Sequence, residues 1–172
     1  ALSVLALTSL LSYPNISIKL INSGKTIVQT SGNGSIKDVI YGIYGKDVAE
    51  NIIDINYEYE DITVSGVIGK PVISRSNRTN QIFFVNDRYI KDKTLSGAAE
   101  QGFKGFITIG KHGFLVLNLK MNPKDVDVNV HPAKLEVRFT DENKVFKAVY
   151  HAIRDGLGKT DLVIDTDSID GI

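Results

Sequence analysis

Residues Asp125 to Phe139 read DVDVNVHPAKLEVRF and set one lysine, Lys134, in a break between two alternating stretches. Before the break Val126, Val128 and Val130 alternate with Asp127, Asn129 and His131. After it Leu135, Val137 and Phe139 alternate with Glu136 and Arg138. Such period-two patterning belongs to half-buried strands. Pro132 has no N–H to give a ladder, so pairing lapses there and Lys134 is left in the gap. An ammonium on a flexible four-carbon stem can reach a phosphate or carboxylate brought from outside the sheet. From spacing alone an ordinary surface lysine in a turn is the default reading, and the phosphate-reaching one is the alternative.

A second group of residues could bind a polyanion. Between Lys70 and Lys120 nine Lys or Arg stand against three Asp or Glu, whereas Asp47 to Asp61 carries six acids and no base. The whole chain has 20 basic and 20 acidic residues, so its net charge selects no partner, but segregation along the sequence permits a basic face. Arg75, Arg78, Arg88, Lys91, Lys93, Lys104 and Lys111 are candidates for phosphate contacts, which position DNA without reading its sequence and weaken steeply with salt. Scattered solubilising charge is the bland alternative.

Other chemistries are poorly supplied. There is no cysteine, which excludes disulfides and thiolate metal sites and allows a reducing compartment. His112, His131 and His151 lack metal-ligand spacing, so no metal site is expected, and no triad accompanies His131. No P-loop signature is present, and Gly32-Asn33-Gly34 reads better as a turn than as a phosphate nest. The chain by itself is therefore expected to bind no cofactor and to be no enzyme.

The elements that must position these residues follow from periodicity. Leu2, Leu5, Ala6 and Leu10 predict a leading helix stopped by Pro14. Ile16 to Ile21 and Lys25 to Thr30 read as a hairpin around Asn22-Ser23-Gly24. Ser35 caps a helix with Ile36, Val39, Ile40, Ile43 and Tyr44 on one stripe, stopped by Gly45. Strands are predicted over Ile52 to Tyr59, Ile62 to Ile68, Ile82 to Val85 and Phe114 to Met121. Asp92 caps a helix through Leu95, Ala98, Ala99 and Phe103, broken by Gly102 and Gly105. Asp141 caps a last helix that Gly156-Leu157-Gly158 is expected to break. With 42% hydrophobic residues in 172, a full core is available. The expected fold class is α+β, a mixed sheet with helices mainly on one face. Residues 1–14 read as a leading helix, 15–156 as the main domain and 157–172 as an acidic linker tail. The absence of an initiator Met suits an excised or processed fragment.

The block Asp125 to Phe139 resembles the signature that closes the second domain of the MutL family of DNA mismatch repair proteins, members of the GHKL ATPase group. Phe83-Phe84-Val85-Asn86-Asp87-Arg88 is similar to that family's FVN-x-R strand end, and Gln29-Thr30-Ser31-Gly32-Asn33-Gly34 to its QT-x-GNG turn. Similar residues run from about Leu2 to Ile153. The resemblance implies the fold of the second domain of a small-subunit ribosomal protein, with a left-handed βαβ crossover that base rates would not suggest. It implies a transducer domain whose Lys134 touches the ATP γ-phosphate held in a preceding ATPase domain, where ATP and Mg bind. It also implies nonspecific DNA binding, with Lys93 at a contacting position. The implied partners are double- and single-stranded DNA, its own N-terminal ATPase domain, other mismatch repair proteins and a second copy in a homodimer, with no membrane. The implied location is cytoplasmic and nucleoid-associated, or nuclear in a eukaryote. Two alternatives are a freestanding nucleic-acid-binding module and the transducer of a type II topoisomerase, whose loop does not normally read HPAK in this context.

Overall fold

A computed structural model of the chain describes residues 10–128 and 136–169. The chain packs as two compact units divided after Ile52, so the expected main domain of 15–156 spans that division.

In the first unit, the end of a helix places Leu10 and Leu11 in buried positions ahead of Pro14. Strands β1 (Lys19–Asn22) and β2 (Lys25–Gln29) form the expected hairpin. Ser23 and Gly24 both take positive φ, 52° and 76°, which lets a two-residue turn match the strand twist. Thr30 is the buried polar residue here: its Oγ1 accepts from the Ile18 amide at 2.9 Å, and its carbonyl accepts from Ser17 Oγ at 2.8 Å. Gly32 is demanded by crowding, since a Cβ there would lie 2.6 Å from the Ser17 nitrogen. Helix α1 (Ile36–Tyr44) starts where Ser35 Oγ accepts from the Asp38 amide, and Gly45 at φ 92° ends it before α2 (Lys46–Ala49).

The second unit is built on a five-stranded sheet. Its strands are β3 (Ile52–Tyr59), β4 (Ile62–Gly69), β5 (Gln81–Val85), β6 (Arg88–Ile90) and β7 (Leu115–Lys120), in the order β3-β4-β7-β5-β6. β4 pairs antiparallel with β7 and β5 antiparallel with β6, while β5 and β7 run parallel from Gln81↔Leu115 to Val85↔Leu119. The sheet is thus mixed, as expected, and the parallel pair is joined by a crossover containing α3 (Lys93–Phe103). Asp92 caps α3, its Oδ2 accepting from the Leu95 amide at 3.1 Å.

Alternation decides which face is covered. Ile62, Val64, Ile68, Phe83, Val85, Leu115, Leu117 and Leu119 form one core with Leu95, Ala98, Ala99 and Phe103 of α3. Helix α4 (Glu142–Ile169) adds Val145, Ala148, Val149, Ala152, Ile153 and Leu157 to it. Each large side chain so buried contributes about 1.5–3 kcal/mol before conformational costs.

One expected helix break occurs and one does not. α3 ends at Phe103, between Gly102 and Gly105, and a Cβ at Gly102 would stand 3.0 Å from Ile153, whereas α4 continues through Gly156, Leu157 and Gly158 to Ile169. A Cβ at Gly156 would overlap Ile55 Cδ1, and Leu157 is buried. Gly102 and Gly156 let a helix approach its neighbours closely, and the surrounding burial outweighs their low helix propensity of about 1 kcal/mol.

Candidate functional site

The described flanks of the Lys134 segment form a short, closed stem. Strand β8 (Val126–Asp127) pairs antiparallel with β9 (Arg138–Phe139), with Val126 opposite Phe139 and Asp127 opposite Arg138. Each strand is only two residues long, shorter than the alternation suggests, although Val137 and Phe139 are buried and Val126 and Val128 pack on the same core. Directly opposed residues lie about 4.5–5.5 Å apart, so the chain leaves and returns at one place. Residues 129–135, including His131, Pro132 and Lys134, lie outside the described residues.

That stem is fixed on both sides. Ahead of it a 3₁₀ turn (Pro123–Asp125) is capped by Asn122, whose Oδ1 accepts from the Lys124 amide at 3.0 Å. Behind it the Thr140 amide donates to the Asp125 carbonyl at 2.8 Å, and Asp141 Oδ1 caps α4 by accepting from Lys144 at 3.1 Å. The Lys144 ammonium pairs with Asp61 and lies 3.8 Å from Glu60, tying the start of α4 to the β3–β4 turn. The hydrogen bond from Lys144 holds the Asp61 carboxyl below its usual range, and the same bond raises Lys144.

Four of the seven candidate DNA residues come together elsewhere in this unit. Arg75 and His112 exchange backbone hydrogen bonds of 2.9 and 2.6 Å. Glu100 Oε1 lies 2.6 Å from His112 Nδ1 and 3.4 Å from Arg78 Nε, so one carboxylate engages both. Lys104 and Lys111 line a cleft of about 290 Å³ together with Glu100, Thr108, Ile109 and His112. Arg154 of α4 braces this loop: its Nη2 donates to the Lys104 carbonyl at 3.2 Å and its guanidinium lies 5.1 Å from the centre of the Phe106 ring.

The other three are not in that group. Arg88 is opposite Val85, at the far end of β5 from Gln81, whose amide donates to the Arg78 carbonyl. Five strand residues separate those ends by about 13 Å. Lys93 opens α3 while Lys104 follows its last residue, a separation of about 16 Å along a helix, and Lys91 precedes Lys93 by two residues. All seven side chains are exposed, as a phosphate contact requires. Glu100 is not among the residues that the sequence singles out. Its pairings span 12 and 22 residues and carry no local spacing signal. Among the described residues no three His, Asp or Glu side chains converge as a metal ion would need, and no helix is long and apolar enough to cross a membrane.

Comparison with solved structures addresses the fold. The N-terminal domain of a DNA repair protein matches 93% of this chain, and 53% of its own, with a TM-score of 0.72 at 21% identity. The Aquifex aeolicus MutL ATPase domain, solved as a point mutant, matches 87% of this chain and 49% of its own with a TM-score of 0.56 at 17% identity. The chain therefore shares the α+β fold of a domain found within DNA repair proteins.

Sequence narrows the class. Residues 40–158 match the family described as DNA mismatch repair protein, C-terminal domain. MutL of Clostridium botulinum (strain Eklund 17B) is 47% identical over 147 residues, 86% of this chain, and MutL of Thermoanaerobacter sp. (strain X514) is 40% identical over 153 residues, 89% of it. The chain belongs to the MutL family of DNA mismatch repair proteins. It spans 22% and 25% of the lengths of those two relatives.

Proposed function

We propose that this chain is the transducer domain of a mismatch repair ATPase, in which Lys134 contacts the γ-phosphate of ATP held by a neighbouring N-terminal domain. The observation that carries this reading is the family signature Asp125 to Phe139 on a closed stem joined directly to the cap of α4. A lysine on such a stem gains a partner when ATP is bound and loses it on hydrolysis, which biases the relative orientation of two domains. ATP and Mg would belong to the neighbouring domain, so this chain alone would not turn over nucleotide. The same protein would act in the cytoplasm at the nucleoid, dimerise through its N-terminal region and recruit other repair factors.

The second part of the proposal is nonspecific DNA binding. The gathering of Arg75, Arg78, Lys104 and Lys111 around one cleft supports a phosphate-binding surface there, while Arg88, Lys91 and Lys93 would supply a separate set of contacts.

The test is ATP turnover by a protein that joins this chain to its ATPase domain, with and without Lys134→Ala. A charge stabilising the transferred phosphoryl group is worth about 100-fold or more in rate. The variant should lose at least that much while keeping its far-UV circular dichroism. Unchanged turnover would discard the transducer reading in favour of a freestanding nucleic-acid-binding module. A topoisomerase transducer is disfavoured by the HPAK loop within its flanking strands.

A further inference from the structure

The basic cleft carries a side chain that electrostatics does not explain. Ile109 is fully exposed at its rim, so it contributes nothing to the core. Its presentation is set by local structure. Ile109 is the second residue of a turn in which the Lys111 amide donates to the Thr108 carbonyl at 3.0 Å, and Gly110 takes φ 86° at the third position. A positive φ there is what a type II turn demands, and glycine supplies it without strain. The loop bearing this turn is anchored by the Arg75–His112 backbone pair, a Lys104–Ile107 bridge and the Arg154 bond to the Lys104 carbonyl.

A single exposed isoleucine on a surface is ordinary. Ile109 differs in its fixed turn and in the charge around it. Lys104 and Lys111 line the cleft with it, and Arg75 and Arg78 are tied to His112 and Glu100 beside them. Glu100, the acid lining the cleft, is already engaged by Arg78 and His112. Thr108, Gly110 and Lys111 flank Ile109 in the turn, so the apolar side chain stands among polar and basic neighbours rather than among other apolar ones in its own segment. Duplex DNA offers the complementary pattern: phosphates outside, with the apolar faces of the deoxyribose rings, and of base pairs that partly unstack, reached through the minor groove between them. Aliphatic side chains are used as apolar contacts in that groove.

We infer that Ile109 is an apolar contact to duplex DNA, lying in the minor groove between phosphate contacts made by Lys104 and Lys111. This rests on the DNA-binding reading above and adds to it a component of affinity that salt does not screen. Counterion release governs the lysines, about 0.9 in the slope of log K against log salt for each phosphate neutralised, whereas burial of an isoleucine leaves that slope alone.

The test is fluorescence anisotropy of the full chain with a 30-base-pair duplex (about three helical turns), titrated with salt. Ile109→Ser should weaken binding about tenfold at every salt concentration with the slope unchanged, and Ile109→Leu should bind as the parent does. The double variant Lys104→Gln/Lys111→Gln should flatten the slope by about two. If the lysine variant responds and Ile109→Ser binds normally, the inference about Ile109 fails while DNA binding at the cleft stands. If neither responds, the cleft is not a DNA site and both fail. A loss confined to a single-stranded oligonucleotide of equal length overturns the groove assignment. The thermal midpoint of Ile109→Ser should match the parent, which separates lost contact from lost fold.

Discussion

Gly66→Ala tests whether the sheet beneath the Lys134 stem is built as described. Gly66 is in β4, opposite Leu117 of β7, at φ 130°. A Cβ there would overlap the Val116 carbonyl oxygen and stand 3.1 Å from its carbon and 3.2 Å from Leu117 Cα. All three are backbone atoms, so no side chain can rotate away. β7 cannot retreat either, because its other edge is paired with β5 from Leu115 to Leu119. Overpacking costs about 1–3 kcal/mol and a disfavoured backbone conformation about the same again, giving roughly 2–6 kcal/mol. Against a native margin of about 5–15 kcal/mol that is a large fraction. At about 2–4 °C per kcal/mol for a chain of this size, the midpoint of thermal unfolding should fall by roughly 5–20 °C. Gly158→Ala is the control: it lies in α4 with nothing within 4 Å of a new Cβ, and should be neutral or stabilising by about 0.5–1 kcal/mol. Circular dichroism during heating reads both. A Gly66→Ala midpoint within about 2 °C of the parent, or level with Gly158→Ala, would refute the described β4–β7 register.

Two further outcomes are expected. Burial raises the Asp92 carboxyl above its usual value of 3.8 even though it caps α3, so its contribution to stability is fully present below that value and is lost as pH rises through the higher folded-state value. Asp92→Asn keeps a cap acceptor without the desolvated charge, so relative to the parent it should gain stability between pH 3 and pH 7 in urea unfolding; a loss that appears only at neutral pH would contradict this. Lys93→Glu, on the exposed first residue of α3, should weaken duplex DNA binding at low salt and flatten its salt dependence, and an unchanged isotherm would remove Lys93 from the DNA surface.

Much of the fold was legible because it rests on local chemistry. Ser35, Asp92 and Asp141 accept the cap hydrogen bonds expected of them, and Asn22 to Lys25 turns as its glycine requires. The alternation of Leu115, Leu117 and Leu119 faces the core as its period predicts. The strand order β3-β4-β7-β5-β6 was not legible from period, since pairing between distant strands leaves no local mark. Gly156 misled for a related reason: glycine read as a breaker where it serves close packing with a residue 101 positions away, Ile55. The candidate basic residues were named by sign of charge, but their grouping depends on the Arg75–His112 bridge, which joins residues 37 apart. Arg88, Lys91 and Lys93 therefore separate from the cleft group despite lying in the same basic run.

On the proposed function, Lys134 distinguishes ATP from ADP by touching the γ-phosphate. The direct test is equilibrium binding of a nonhydrolysable ATP analogue and of ADP to a protein joining this chain to its ATPase domain, parent against Lys134→Ala. A charge-assisted contact of about 1.5–3 kcal/mol corresponds to about 10- to 150-fold in affinity. Lys134→Ala should lose that much for the ATP analogue and nothing for ADP. Equal affinities in parent and variant for both nucleotides, or equal losses for both, would contradict it.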